Sequence, residues 1–104
     1  MPTPEHIPEI TVEMLRQWRA ENRSVCLVDV RQEGERDVSN IEGSVHVPLS
    51  EISHAEFPAD VPLVVFCHAG VRSAVAVYQL HQRGYENAIN LAGGMVAWER
   101  FKGA

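Results

Sequence analysis

The sequence predicts an α/β domain in which a parallel sheet is covered by helices. Three observations carry that expectation. Apolar runs rich in Val, Leu and Ile alternate with segments of helical character. Two of the runs, "VCLVDV" at 25–30 and "PLVVFC" at 62–67, are nearly continuous, as strands buried on both faces are. Finally, 104 residues that are 45% hydrophobic and 22% charged have a globular composition, and this length buries about two thirds of its unfolded surface around one core. No repeat, linker or second composition stands out, so a single domain over residues 1–104 is expected.

Taken in order, "MPTPEHIPEI" reads as an extended, proline-rich lead-in without the cationic start or apolar stretch of a secretory signal. Thr11 is placed to cap a helix over "VEMLRQWRAEN", where Val12, Leu15 and Arg19 share a face and Met14 and Trp18 another, the last two read as core. "VCLVDV" follows as a buried strand with Cys26 as a small hydrophobe inside it. "QEGERDVS" predicts a short helix or turn, and the mixed signs of "RQEGERD" predict a solvated face. "SVHVPL" predicts a short strand ended by Pro48, and "SEISHAEF" a further helical turn. The clearest strand, 63–66, is entered through a proline-rich turn; the clearest helix, "RSAVAVYQLHQRG", stops at Gly84 in the C′ position. A short strand near "NAINL" and a helix after Gly93-Gly94, with Val96 to Phe101 packed on the sheet, complete the chain.

Composition removes several classes of function. The formal charge is -5 and no block of Lys and Arg interrupts it, so neither nucleic acid nor an anionic membrane is an expected partner. No window approaches the roughly 18 continuous apolar residues of a membrane-spanning helix. Cys26 and Cys67 stand at no metal-ligand spacing, and His46, His54 and His81 add none, so no disulfide framework, metal or other cofactor is expected. Two free thiols suit a reducing compartment, and the cytoplasm is the expected location.

The chemistry concentrates in "VVFCHAGVRSAVAVYQL", residues 64–80. A strand running into Cys67 and a helix starting near Arg72 or Ser73 put the thiol at the carboxyl end of a strand, where open α/β sheets bind ligands. The helix start offers unpaired N–H groups and the positive end of a dipole, and loop amides curled round the sulfur form an anion-binding nest. Such surroundings lower a cysteine's pKa from about 8.5 and favour thiolate over thiol. Gly70 suits a loop that turns its amides inward, since that geometry requires positive φ. Arg72, a cation in the first turn of a helix, asks for an anion nearby. A thiolate so held can attack phosphorus, arsenic or sulfur. Cysteine phosphatases place their arginine six positions after the nucleophile, whereas Cys67 and Arg72 are five apart, a cradle one residue short of a phosphate loop.

"CHAGVRS" resembles the active-site loop of the rhodanese family of sulfurtransferases, a six-residue loop that begins at its cysteine. "LVDVRQEGE", "IEGSVHVPL" and "NLAGGMVAW" resemble, in order and approximate spacing, that family's Asp-x-Arg strand end, its Ile-x-Gly-(Ala/Ser)-x-x-x-Pro turn and its Leu-x-Gly-Gly-x-x-x-Trp ending. The likeness spans nearly the whole chain and is to single-domain members. It departs from the family at Ser39-Asn40, where many members carry Gly-His, and at Arg36, where an aromatic is common.

The resemblance implies a rhodanese-like fold, an open, mostly parallel sheet with helices on both faces. It also implies a double displacement: Cys67 takes the outer sulfur of thiosulfate or a related small sulfur anion, and the resulting persulfide passes it to cyanide or to a thiol, including one borne by a protein. Ping-pong kinetics accompany such covalent catalysis. Amides of His68, Ala69, Gly70, Val71 and Arg72 would hold the persulfide, the Arg72 side chain the oxyanion end of the donor, and the His68 ring the charge of the pocket. Asp29, Arg31 and Ser73 would support the site from behind. Gly93 and Gly94 serve a tight turn and Trp98 a core position. Two competing expectations remain, a protein-to-protein sulfur relay and, less favoured, a cysteine phosphatase or arsenate reductase.

Overall fold

The structure, a computed structural model, describes residues 7–101. Thr11 caps as its position predicts: its hydroxyl oxygen accepts the Met14 N–H at 3.1 Å and opens helix α1, Val12–Ala20. The strands that follow are β2, Cys26–Asp29; β3, Val45–His46; β4, Leu63–Phe66; and β5, Ala88–Leu91. Helix α2, Glu33–Val38, joins β2 to β3; a 3-10 turn, Leu49–Glu51, follows β3; α3, Val71–Gln82, joins β4 to β5; and α4, Gly94–Arg100, comes last. One element escapes the sequence patterns. Glu9–Ile10 forms a two-residue strand, β1, paired in parallel with β5 through Asn90 and Leu91. Two residues are too few to show any period, so the lead-in read only as extended.

The five strands lie in the order β1-β5-β4-β2-β3, all parallel. All four side chains of β4 are fully buried, which explains its unbroken apolar run. Its two-residue period divides them: Leu63 and Val65 pack with Ala76, Val77 and Leu80 of α3 and with Ile52, while Val64 and Phe66 pack with Val12 and Leu15 of α1 and Met95 of α4. Each such side chain contributes about 1.5–3 kcal/mol of burial. The sheet is therefore covered on both faces, as expected of the fold.

Local packing corrects three details. Met14 is 46% exposed, since α1 turns Val12 and Leu15 inward and leaves Met14 on its outer side; Trp18 is partly buried against the core. On α4 it is Met95 that enters the core, with Val96 and Phe101 at the surface. The stretch "RQEGERD" is solvated only in part: Gln32, Glu33, Gly34 and Asp37 are exposed, whereas Arg31 is buried and Arg36 and Glu35 are both engaged in ion pairs.

Topology places the site. From β2 the chain moves outward to β3, and from β4 it moves the opposite way to β5, so its direction reverses between the neighbours β2 and β4. Ligands of open parallel sheets bind at the carboxyl ends beside such a reversal. Cys67 follows β4 there, and Asp29 and Arg31 lie at the end of β2.

Candidate active site

Cys67 leaves the sheet on the same side as Leu63 and Val65, and only 1% of it is exposed, among Val28, Val30, Ile52, Ala76 and Val77. Burial of that degree is what a structural cysteine also shows. Its hydrogen bonds separate the two cases. Sγ accepts the Gly70 N–H at 3.1 Å, the Ser73 N–H at 3.4 Å and lies 3.3 Å from the Ser73 hydroxyl. Gly70 makes this possible: it caps α3 at φ 101°, a left-handed conformation that costs glycine nothing. Burial pushes the Cys67 thiol up, but the Ser73 hydroxyl and the amides of Ser73, Gly70 and Ala69 outweigh it, and the thiol is held below its ordinary value.

A polar chain, buried at Ser73 and Asn90, runs behind the sulfur to the surface at Glu9. Ser73 Oγ donates to Asn90 Oδ1 at 2.6 Å, and the Asn90 amide nitrogen donates to the Gly70 carbonyl and to Glu9 Oε2, each at 3.1 Å. With both amide hydrogens so engaged, Oδ1 must face Ser73, whose single proton is shared between Asn90 and the sulfur. Neither Asn90 nor Glu9 carried a sequence signal of this role, since Asn90 read as part of a strand and Glu9 as lead-in.

Gly93 and Gly94 do more than turn the chain. Both adopt positive φ, and a side-chain carbon on Gly94 would overlap the backbone carbonyls of Cys67 and His68. That close approach lets the Met95 and Val96 N–H groups bond the same two carbonyls at 2.9 and 3.0 Å. The loop's carbonyls are thus drawn toward α4, leaving its amides for the sulfur.

On the other side, Arg31 grips Asp29 through Nε at 2.9 Å and Nη2 at 2.8 Å, both groups buried, and Arg31 Nη2 also donates to the Ser39 carbonyl at 2.6 Å. Burial raises the Asp29 carboxyl, yet the bonds from Arg31 and Arg36 outweigh it and hold it below the usual range. Arg36, where an aromatic is common in the family pattern, reaches Asp29 at 3.2 Å and both Oγ and O of Ser44. Its hydrogen bonds fasten the residue before β3 to this corner.

The anion that Arg72 asks for is present. Both arms of its guanidinium meet Glu35, at 2.7 and 2.8 Å, and the Glu35 carboxyl is held at about 2, chiefly by those bonds. Glu35 also accepts the Gln32 N–H at 3.0 Å. With Arg31, Val38, Ser39 and His68, the residue that follows Cys67, it lines a cleft of about 370 Å³. His68, Ala69 and Val71 are exposed at the rim. A larger open hollow, about 500 Å³, lies at the opposite end of β2 around Arg19, Arg23 and Glu42 and contains no cysteine. Among the described residues no His, Cys, Asp and Glu side chains gather as metal ligands, and no helix is long and apolar enough to cross a membrane.

The sequence profile of the rhodanese-like domain matches residues 11–101. The chain belongs to the rhodanese-like domain family. This rhodanese-like domain is 38% identical over 95 residues to the probable adenylyltransferase/sulfurtransferase MoeZ of Mycobacterium tuberculosis, covering 88% of the chain but only 24% of that longer protein. It is also 38% identical to a sulfurtransferase of Allochromatium vinosum, over 90% of each chain. Among solved structures, the human single-domain sulfurtransferase TSTD1 superposes with a TM-score of 0.82 at 27% identity, over 90% of this chain and 96% of that one.

Proposed function

We propose that this rhodanese-like domain is a sulfurtransferase that works through a persulfide on Cys67. The observation that carries this reading is the convergence of the Gly70 and Ser73 amides and the Ser73 hydroxyl on one sulfur at the carboxyl edge of the sheet. An ionised thiol needs no general base. The Cys67 thiolate attacks the outer sulfur of thiosulfate or a related donor; the Sγ–S bond forms as the donor's S–S bond breaks, and sulfite leaves with the bonding pair. The terminal sulfur then carries the charge. Amides of residues 68–72, of which that of Gly70 already meets Sγ, stabilise it by electrostatic preorganisation. An acceptor thiolate or cyanide takes that sulfur and returns Cys67 to its starting state.

Ser73 holds the sulfur directly through its N–H and hydroxyl, Asp29 and Arg31 brace the end of β2 on the other side, and His68, on the wall of the cleft, meets the incoming donor or acceptor. Arg72 keeps a place near the oxyanion end of thiosulfate, but under the restraint of Glu35. The two free cysteines suit a reducing compartment such as the cytoplasm. A phosphatase reading is disfavoured by the five-position spacing from Cys67 to Arg72. A protein-to-protein relay uses the same persulfide, and a relative 33% identical to this chain, YrkF of Bacillus subtilis, is named a putative sulfur carrier protein.

One experiment separates these readings. Purified protein and Cys67→Ala are incubated with thiosulfate, then weighed intact. The expected result is one added sulfur atom on the native protein alone. Loading only from a persulfidated donor protein selects the relay. Release of phosphate from an aryl phosphate, with no sulfur added by any donor, contradicts sulfur transfer.

A further inference from the structure

The fixed cations around the cleft are each matched by a carboxylate. Arg31 and Arg36 share Asp29. Arg72, in the first turn of the helix that follows the Cys67 loop, is closed by both oxygens of Glu35. The chain as a whole is at -5. Thiosulfate is a poor fit to such a mouth, because its leaving group, sulfite, carries a double charge spread over oxygens that want a free guanidinium. A persulfide donor asks for less. Its leaving group is a single thiolate, and the sulfane sulfur brings no oxyanion to be neutralised.

Building on the sulfurtransferase reading, we propose that Glu35 is a specificity-determining residue: by occupying Arg72 it biases Cys67 toward low-charge organic persulfides and against oxyanion donors. The balanced step is Cys67–S⁻ + R–S–SH → Cys67–S–SH + R–S⁻. The Sγ–S bond forms, the R–S–S bond breaks, the proton stays on the transferred sulfur, and no oxidant or reductant is consumed. The pair is partly open to solvent, Arg72 being 38% and Glu35 33% exposed, so it is a restraint that an oxyanion can displace at a cost. Glu35 acts through Arg72 and touches no reacting atom.

The test compares loading of Cys67 by thiosulfate with loading by N-acetylcysteamine persulfide, whose leaving thiol bears no other charge, in the native protein and in Glu35→Gln. Glutamine keeps one oxygen as an acceptor for the Gln32 N–H and Arg72 Nη1, and removes the charge together with the acceptor that holds Arg72 Nη2. Wild type is expected to load faster from the persulfide at equal concentration. In Glu35→Gln the thiosulfate KM falls about fivefold, the factor that corresponds to about 1 kcal/mol, while kcat and the persulfide KM stay put. A thiosulfate KM that is unchanged or higher in the folded variant overturns the inference and leaves sulfur transfer intact. Should Glu35→Gln fail to fold, the salt dependence of the native protein decides. A neutralised Arg72 gives a thiosulfate KM that is flat or falls with added chloride, whereas a steep rise marks a free cation and contradicts the proposal. If neither donor loads wild-type Cys67, the sulfurtransferase reading itself falls, and this inference with it.

Discussion

The two cysteines sit on adjacent strands against the same apolar cluster, yet the protein treats them oppositely. Cys26 begins β2 at the amino edge of the sheet; burial pushes its thiol up and nothing offsets the push. Cys67 follows β4 at the carboxyl edge, is the more deeply buried of the two, and is nevertheless held below its ordinary value. Exposure therefore does not set the direction in which either thiol is pushed. The difference is the supply of N–H and O–H groups aimed at Cys67, a supply that exists only where a strand hands over to a helix through Gly70.

The strongest way to break this contrast is to remove each sulfur in turn. Cys67→Ala abolishes sulfur loading, whereas Cys26→Ala leaves it within about twofold and costs at most about 1 kcal/mol of stability in a denaturant titration. Next in size is Gly94→Ala. Its added methyl meets the Cys67 and His68 carbonyls, so the loop or α4 must shift, with a loss of about 1–3 kcal/mol and slower loading in a single-turnover assay. The same change at Gly34, where nothing stands in the way, leaves loading unaltered. Ser73→Ala removes the hydroxyl donor but keeps the backbone one; the midpoint of Cys67 alkylation moves up in pH and that of Cys26 does not.

The smallest expected effect lies on the α2 side. Glu35 titrates at about 2 in the folded protein and near the usual 4.3 when unfolded. A folded value below the unfolded one means the contribution is complete above about pH 4.3 and fades as pH falls toward 2. Asp29, also depressed, adds in the same sense. Thermal melts should therefore lose midpoint as pH drops through that window, and Glu35→Gln should make the profile shallower.

What could be read from the sequence follows the range of the interactions involved. Local features were legible: Thr11 as a cap, the buried run of β4, Gly84 as a stop, and the Cys67 loop with its helix. So was the sheet, because four short motifs in family order report long-range topology indirectly. Contacts between residues far apart in sequence were not. Glu35 meets Arg72 across 37 positions and Asn90 meets Ser73 across 17, with no periodicity or spacing to announce either pair. The mixed charges of "RQEGERD" look like those of any solvated helix, and only the fold reveals that Arg31 and Glu35 among them wall a cleft. Gly94 was legible as a turn but not as the point where α4 touches the loop.

The most direct measurement follows both thiols in one sample. Native protein is alkylated with iodoacetamide across a pH series, and the label on the Cys26 and Cys67 peptides is quantified separately by mass. Cys67 is predicted to reach half its maximal rate at a lower pH than an ordinary thiol, and Cys26 at a higher one. Coincident midpoints, or Cys67 the higher of the two, would contradict a thiolate held by inward-facing amides.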